Sequence, residues 1–306
     1  MDKKDFYTTT IKNWENICEQ PCINENTYPK SQYTIEIFHF INPLCPECWG
    51  LEPHIKKLQI EYSHVLKIRP FLTGNLTELN IRPTLQNTRH LANRWEKISS
   101  KTGMVCKGTL WLKDPIKRPF ILSLSMKAAE LQGQKLGSRF SRILREKIFF
   151  ETINVEHKSL LIECAKEAGL DIDEFLTDLH GEAAAKALQC DFKIAKDFDV
   201  KVLPTLIFFN QNVDEPGIKV SGYQDFHVYE KVIEDLMQQH VQKTPLPPIC
   251  YFAKKFKLFA LQEVCTVYNF SPTKAREQLL PMVIRGILKE HQTSLGYYYK
   301  YVHKNN

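Results

Sequence analysis

Cys45-Pro46-Glu47-Cys48, inside the stretch INPLCPECWG, sets two thiols two residues apart. That spacing suits two kinds of chemistry. In thiol–disulfide exchange the sulfurs meet across one helical turn. The free N–H groups and dipole at a helix start favour the thiolate, which is the species that attacks a disulfide. Cys45 would then be the nucleophile and Cys48 the resolving thiol. Glu47 opposes this, because a nearby carboxylate disfavours a second negative charge. Zinc binding needs two more ligands. Cys18 and Cys22, four residues apart, could join Cys45 and Cys48, but the two pairs are loosely spaced. The expectation is therefore no metal and no cofactor. A third use of the pair is as the remnant of an enzyme now serving as a binding surface.

The surrounding elements must place these thiols at a helix start. QYTIEIFHF, residues 32–40, alternates β-branched and aromatic residues with polar ones and reads as a strand. Leu51, Ile55, Leu58 and Tyr62 recur at helical spacing, which predicts a helix from about Cys48 to Tyr62. HVLKIRPFLT reads as a second strand, so the order is that of a βαβ unit. Residues from about 84 to 198 are helical in pattern, with Gly169 as a helix C-cap. LPTLIFFN is then a short buried strand, GIKVSGY can pair beside it, and DFHVYEKVIEDLMQQH closes as an amphipathic helix.

Val202-Leu203-Pro204-Thr205 stands immediately before that buried strand. Proline at the opening of a central strand is poorly tolerated without a special reason. A cis X-Pro bond supplies one, since it turns the preceding backbone outward where an extended peptide can pair with it. Leu203, Pro204 and Thr205 are thus candidate binding residues, and Trp49, beside Cys48, joins them as a contact residue. His39, His54 and His64 read as structural histidines. Cys164 and Cys190 read as small core residues. Cys106, Cys250 and Cys265 have no evident partner.

The chain has 306 residues, enough for two domains, and an ordinary globular balance of 43% hydrophobic and 25% charged residues. No apolar run fits a signal peptide or a membrane span, so the expected compartment is the cytoplasm. There thiols are mostly reduced, and nine cysteines do not suggest a disulfide framework. The net charge of +6 is carried by residues 251–306, with nine basic and three acidic side chains. Lys254, Lys255 and Lys257 offer that module a face for an acidic partner. KTPLPPIC, residues 243–250, reads as a proline-stiffened linker. Beyond it lie a helix, a Ser271–Pro272 helix start, a second helix containing Pro281, and the strand-like LGYYYKYV. That order outlines a winged-helix-like module, with Pro281 expected to kink or shorten its helix. Excess charge alone gives only weak DNA binding, and no dense Arg/Lys row is present to read bases, so nucleic acid is not the expected partner.

The cysteine motif, the long helical insertion and the Val-Leu-Pro-Thr turn together resemble the DsbA-like branch of the thioredoxin superfamily. NPLCPECWGLEPHIKKLQIEY, MKAAELQGQK and KALQCDFKIAKDFDVKVLPTLIFFN are similar to signature segments of the Spx-directed adaptors of the ClpXP protease (the YjbH or SpxH family). The resemblance covers nearly the whole chain. It implies an α/β fold: an N-terminal segment 1–32, a DsbA-like thioredoxin domain 33–242, a linker 243–250, and a winged-helix-like module 251–306. It also implies a stress-response adaptor that is not an enzyme, with Spx and ClpXP as partners. Some relatives carry a zinc-binding His/Cys-rich N-terminus. Here that region holds Cys18 and Cys22 but no histidine. The alternative function is a cytosolic dithiol–disulfide oxidoreductase using Cys45 and Cys48.

Overall fold

A computed structural model describes residues 8–11, 34–73, 84–212 and 215–302. The first part of the chain forms β1 (Thr8–Ile11), β2 (Ile35–Ile41), α1 (Pro46–Gly50), α2 (Glu52–Glu61) and β3 (Leu66–Leu72). Seven helices follow: α3 (Leu85–Thr102), α4 (Thr109–Lys113), α5 (Pro119–Leu131), α6 (Gln134–Phe149), α7 (Lys158–Ala168), α8 (Ile172–His180) and α9 (Glu182–Asp197). The chain returns to the sheet with β4 (Thr205–Asn210), β5 (Gly217–Ser221) and α10 (Phe226–Met237). It ends with α11 (Ile249–Phe256), β6 (Leu258–Ala260), α12 (Leu261–Tyr268), α13 (Pro272–Ile284), β7 (Leu288–Thr293) and β8 (Gly296–Tyr301).

The main sheet has the order β1-β5-β4-β2-β3. β3 runs parallel to β2, while β4 runs antiparallel to it and brings Thr205 opposite Phe40. Alternation decides which layer each face meets. Ile35, Ile37, Leu206 and Phe208 pack with α2 and α10. Phe38, Phe40, Ile207 and Phe209 pack with Ile194 and Phe198 around α9. The fold is the thioredoxin-like α/β arrangement of DsbA-like proteins, with the helical insertion between β3 and β4. Gly169 ends α7 in the left-handed conformation at φ 85°, where glycine has no Cβ to clash.

One local expectation is corrected. The helix after the cysteines is broken, since α1 ends at Gly50 and α2 begins at Glu52. Pro53 lacks the N–H needed to continue the ladder, and it sits in the first turn of a new helix instead. Pro281 does not end its helix, because α13 runs through it to Ile284. Pro281 and Glu277 are both exposed, so the Glu277 carbonyl left without a donor can be hydrated. Ser271 caps this helix by accepting from the Lys274 N–H at 3.2 Å.

The C-terminal elements share the core of the rest. Leu258, Ala260 and Tyr298 belong to the same apolar cluster as Trp49 and Trp95, and Tyr298 stacks on Phe150 at 4.9 Å. Ile60 of α2 is buried among Phe252, Phe259 and Val264. The stretch from 243 is tied down along α2. Thr244 N–H donates to the Glu61 carbonyl at 2.7 Å, and Lys243 Nζ lies 2.5 Å from Glu230 Oε1. α11 begins at Ile249, inside the stretch read as linker.

A buried charge network joins these parts. Arg142 on α6 lies 3.1 Å from Glu52, 2.6 Å from Glu146 and 3.2 Å from Glu263, and it donates to the Leu258 carbonyl at 3.3 Å. Glu263 on α12 is 0% exposed and also pairs with Lys56 Nζ at 2.5 Å. Arg145 adds a 2.7 Å contact to Glu52. Burial alone would raise the Glu52 carboxyl, but Arg145 and Arg142 hold it down at about 2. Removing one member of such a network strands the others without compensation. Glu263→Ala should therefore destabilise the chain by about 3–5 kcal/mol in urea unfolding. A loss below about 1 kcal/mol, the size of an exposed pair, would contradict the structural weight given to this carboxylate.

Candidate functional site

Cys45 is the N-cap of α1, and its sulfur accepts the Cys48 N–H at 3.2 Å. Cys45 is half-buried, Cys48 is buried, and both are free thiols. The Cys45 thiol donates to Glu47 Oε2 at 3.5 Å. Glu47 is held in turn by Arg94, through Nη2 at 3.0 Å and Nε at 3.2 Å. Burial pushes the Cys45 thiol well above its ordinary value, and Cys48 and Glu47 push it further in the same direction. The five-residue helix α1 cannot offset this, since a dipole at an exposed helix end contributes only about 0.3–1 kcal/mol. The geometry of a disulfide-exchange pair is present, while its activation is opposed.

The Leu203–Pro204 peptide is cis. Leu203 is half-buried, Pro204 is buried, and Val202 is exposed. Thr205 is fully buried and donates to the Val202 carbonyl at 2.6 Å, which closes the turn. The Pro204 carbonyl accepts from Gly222 N–H at 2.7 Å. A cleft of about 480 Å3 runs between Cys45, Glu47, Arg94, Val202, Leu203 and Tyr223. The structure thus brings Cys45 and Leu203 to one opening. Pro204 and Thr205 are buried and are not among the residues that line it.

Trp49 lies elsewhere, and its reading as a contact residue is corrected. It is 0% exposed and stacks on Phe149 at 5.0 Å, and its indole N–H donates to the Val105 carbonyl at 3.0 Å. The Arg142 guanidinium covers the ring at 4.6 Å. The side chain therefore anchors α1 to the helical layer rather than facing the cleft. Its partners on α6 and the loop after α3 are distant in sequence, and only the third dimension shows them.

The histidines are structural in this fold. Burial lowers His39 and His54 to about 4, so both are neutral near pH 7. His64 shares a 3.1 Å hydrogen bond with Thr244. Cys106, Cys164 and Cys265 are buried, Cys190 is half-buried and Cys250 is exposed. Cys18 and Cys22 fall outside the described residues. Among the described residues no group of three or more His, Cys, Asp or Glu side chains is placed to hold a metal, and no helix is long and apolar enough to cross a membrane. Sequence reasoning missed a second cavity of about 570 Å3, bordered by α2, α6, β3 and the C-terminal elements. Its walls come from residues spread between His39 and Tyr301, and no local pattern marks it.

A thioredoxin family model matches residues 38–231. The ClpXP adapter protein SpxH of Halalkalibacterium halodurans is 40% identical over 298 residues, which is 96% of this chain and 97% of that protein. A solved structure described as a candidate protein disulfide isomerase from Nitrosomonas europaea is similar with TM-score 0.57 and 15% identity, covering 68% of this chain and 100% of that one. The cytosolic disulfide reductase DsbM from Pseudomonas aeruginosa gives TM-score 0.50 and 16% identity, covering 66% of this chain and 95% of that one. At such identities the two structures speak for the fold alone.

The environment of Cys45 makes a measurable prediction. A raised thiol pKa leaves little thiolate at neutral pH, and the thiolate fraction grows only as pH climbs past the ordinary thiol value of about 8.5. Alkylation of Cys45 by iodoacetamide, read by mass spectrometry of the tryptic peptide, should be slower at pH 7.5 than for a free cysteine peptide. Glu47→Gln should speed it several-fold. Wild-type alkylation faster than the peptide would show an activated thiol.

Proposed function

We propose a function from one premise, that this chain belongs to the family of ClpXP adapter proteins named SpxH. The chain is an adaptor that binds the transcription regulator Spx and presents it to ClpXP, in the cytoplasm and without turning over a substrate of its own. The observation that carries this reading is the match along almost the whole length of a ClpXP adapter, including the C-terminal elements. The site supports it: the cleft beside Cys45 offers shape and apolar surface at Val202 and Leu203, while burial and Glu47 oppose the thiolate. Holding a partner needs desolvated anchors rather than a nucleophile.

Residues 251–302 are read here as a winged-helix-like module serving as a protein-binding and structural unit. Its order of helix, strand, helix, helix and two strands supports that reading, as does the sheet order β6-β8-β7. The competing reading, a dithiol–disulfide oxidoreductase, is favoured by the retained Cys45–Cys48 pair and by the cis Leu203–Pro204 peptide, whose Leu203 borders the same cleft as Cys45. It requires a Cys45 thiolate that the surroundings disfavour.

Replacing both Cys45 and Cys48 by Ser separates the two. Degradation of Spx by reconstituted ClpXP, timed with wild type and double variant, should be stimulated equally to within about twofold if binding alone is used. Complete loss of stimulation by a folded variant would make the thiols essential and overturn this reading.

A further inference from the structure

The second cavity, about 570 Å3 in volume, is not used by the adaptor reading. That volume is typical of small-molecule sites. Nine Lys or Arg residues border it against five Glu, so its field favours an anion. The deeper cations are committed. Lys56, Arg142 and Arg145 serve the Glu52–Glu146–Glu263 network, Lys127 pairs with Glu130 and Asp191, and Lys147 pairs with Glu163. The mouth is different. Arg139 from α6 and Lys255, Lys257 and Lys300 from the C-terminal elements are exposed, and among the described residues none of them makes an ion pair. Four cations from two parts of the chain thus border one opening without an ion pair of their own, and they outnumber Glu151 and Glu167 of the same lining.

The floor is apolar, built from Ile41, Ile68, Leu72, Met126, Ile143 and Leu258. His39 sits in the same wall. It is 4% exposed, and its Nε2 has no hydrogen-bond partner. An unpaired buried polar atom beside a cavity is a vacancy that a ligand atom can satisfy. The occupant must therefore combine several negative charges with a compact, partly apolar body bearing a polar edge. An extended peptide fits less well. The strand edge bordering the cavity is β3, and Pro70 in that strand has no N–H to offer an added strand. Arginine and lysine clusters suit phosphate oxygens, which accept several charge-assisted hydrogen bonds at once.

We propose that this cavity is a binding site for a small organic polyphosphate of the nucleoside polyphosphate class. Its phosphates lie among Arg139, Lys255, Lys257 and Lys300, and its ring system rests on the apolar floor beside His39. The site is separate from the cleft at Cys45, and the proposal does not depend on the adaptor reading.

The test is calorimetry on the full-length chain with ATP in EDTA as the probe. ATP should bind, and the pair Lys255→Glu and Lys257→Glu should weaken it by about tenfold or more. Arg139→Glu, on α6, should do the same. Lys254→Glu changes an equally exposed lysine outside the cavity lining and should leave binding unchanged. Inorganic triphosphate should bind more weakly than ATP, because it cannot use the floor. All four substitutions lie on exposed side chains, and an unchanged melting temperature would confirm that each variant is folded. The proposal is overturned by absence of binding, by equal loss with Lys254→Glu, or by triphosphate binding as tightly as ATP, which would mean a bare basic surface. It is equally overturned if a hexaglutamate peptide binds more tightly than ATP, which would assign the cavity to an acidic peptide.

Discussion

Arg142 stands where three parts of the chain meet. Its guanidinium reaches Glu52 on α2, Glu146 on its own helix and both Glu263 and the Leu258 carbonyl of the C-terminal elements, and its face covers Trp49 of the cysteine helix. Charges taken out of water cost several kcal/mol each, and only close, complete pairing offsets that cost. The pairing is complete only when α2, α6 and α12 are all in place. The network therefore does less to add stability than to forbid other arrangements. It fixes the C-terminal elements against the helical layer and holds α1 through the aromatic stack of Trp49 on Phe149.

That rigidity bears on function. A redox enzyme of this fold needs a thiol that ionises readily and a cleft open to disulfides. Here Cys45 is half-buried, bonded to Glu47 and pushed away from ionisation. Those features cost a binding platform nothing, since a platform uses fixed shape. The Cys45 cleft and the second cavity also differ in character. The Cys45 cleft is small and bordered by Val202, Leu203 and Tyr223, whereas the larger cavity is rimmed by cations from both halves of the chain.

Much of the fold was legible in the sequence because its signals are local. Alternation marked β2, helical spacing marked α2, and a proline before an apolar run marked the cis turn at Leu203–Pro204. Gly169 and the Ser271–Pro272 start are equally local signals. The failures have a common cause in distance along the chain. Trp49 looked like a cleft residue because its neighbours in sequence are Cys48 and Gly50. The groups that bury it are Val105, Arg142 and Phe149. No local pattern marks Lys56 or Glu263, and their 2.5 Å pairing spans more than 200 residues. Cys45 was expected to gain from the helix start, but burial is a tertiary property and outweighs it. The break at Leu51 was within reach, since Pro53 is in plain view.

The central claim is that this chain accelerates proteolysis by holding a client rather than by exchanging disulfides. The most direct measurement compares both activities in one preparation. Spx degradation by ClpXP is timed with and without a stoichiometric amount of the full chain, and insulin reduction by the same protein is followed in the presence of a thiol reductant. The account predicts clear acceleration of Spx loss and insulin reduction no faster than the reductant alone. Rapid catalytic insulin reduction with no effect on Spx degradation would contradict it.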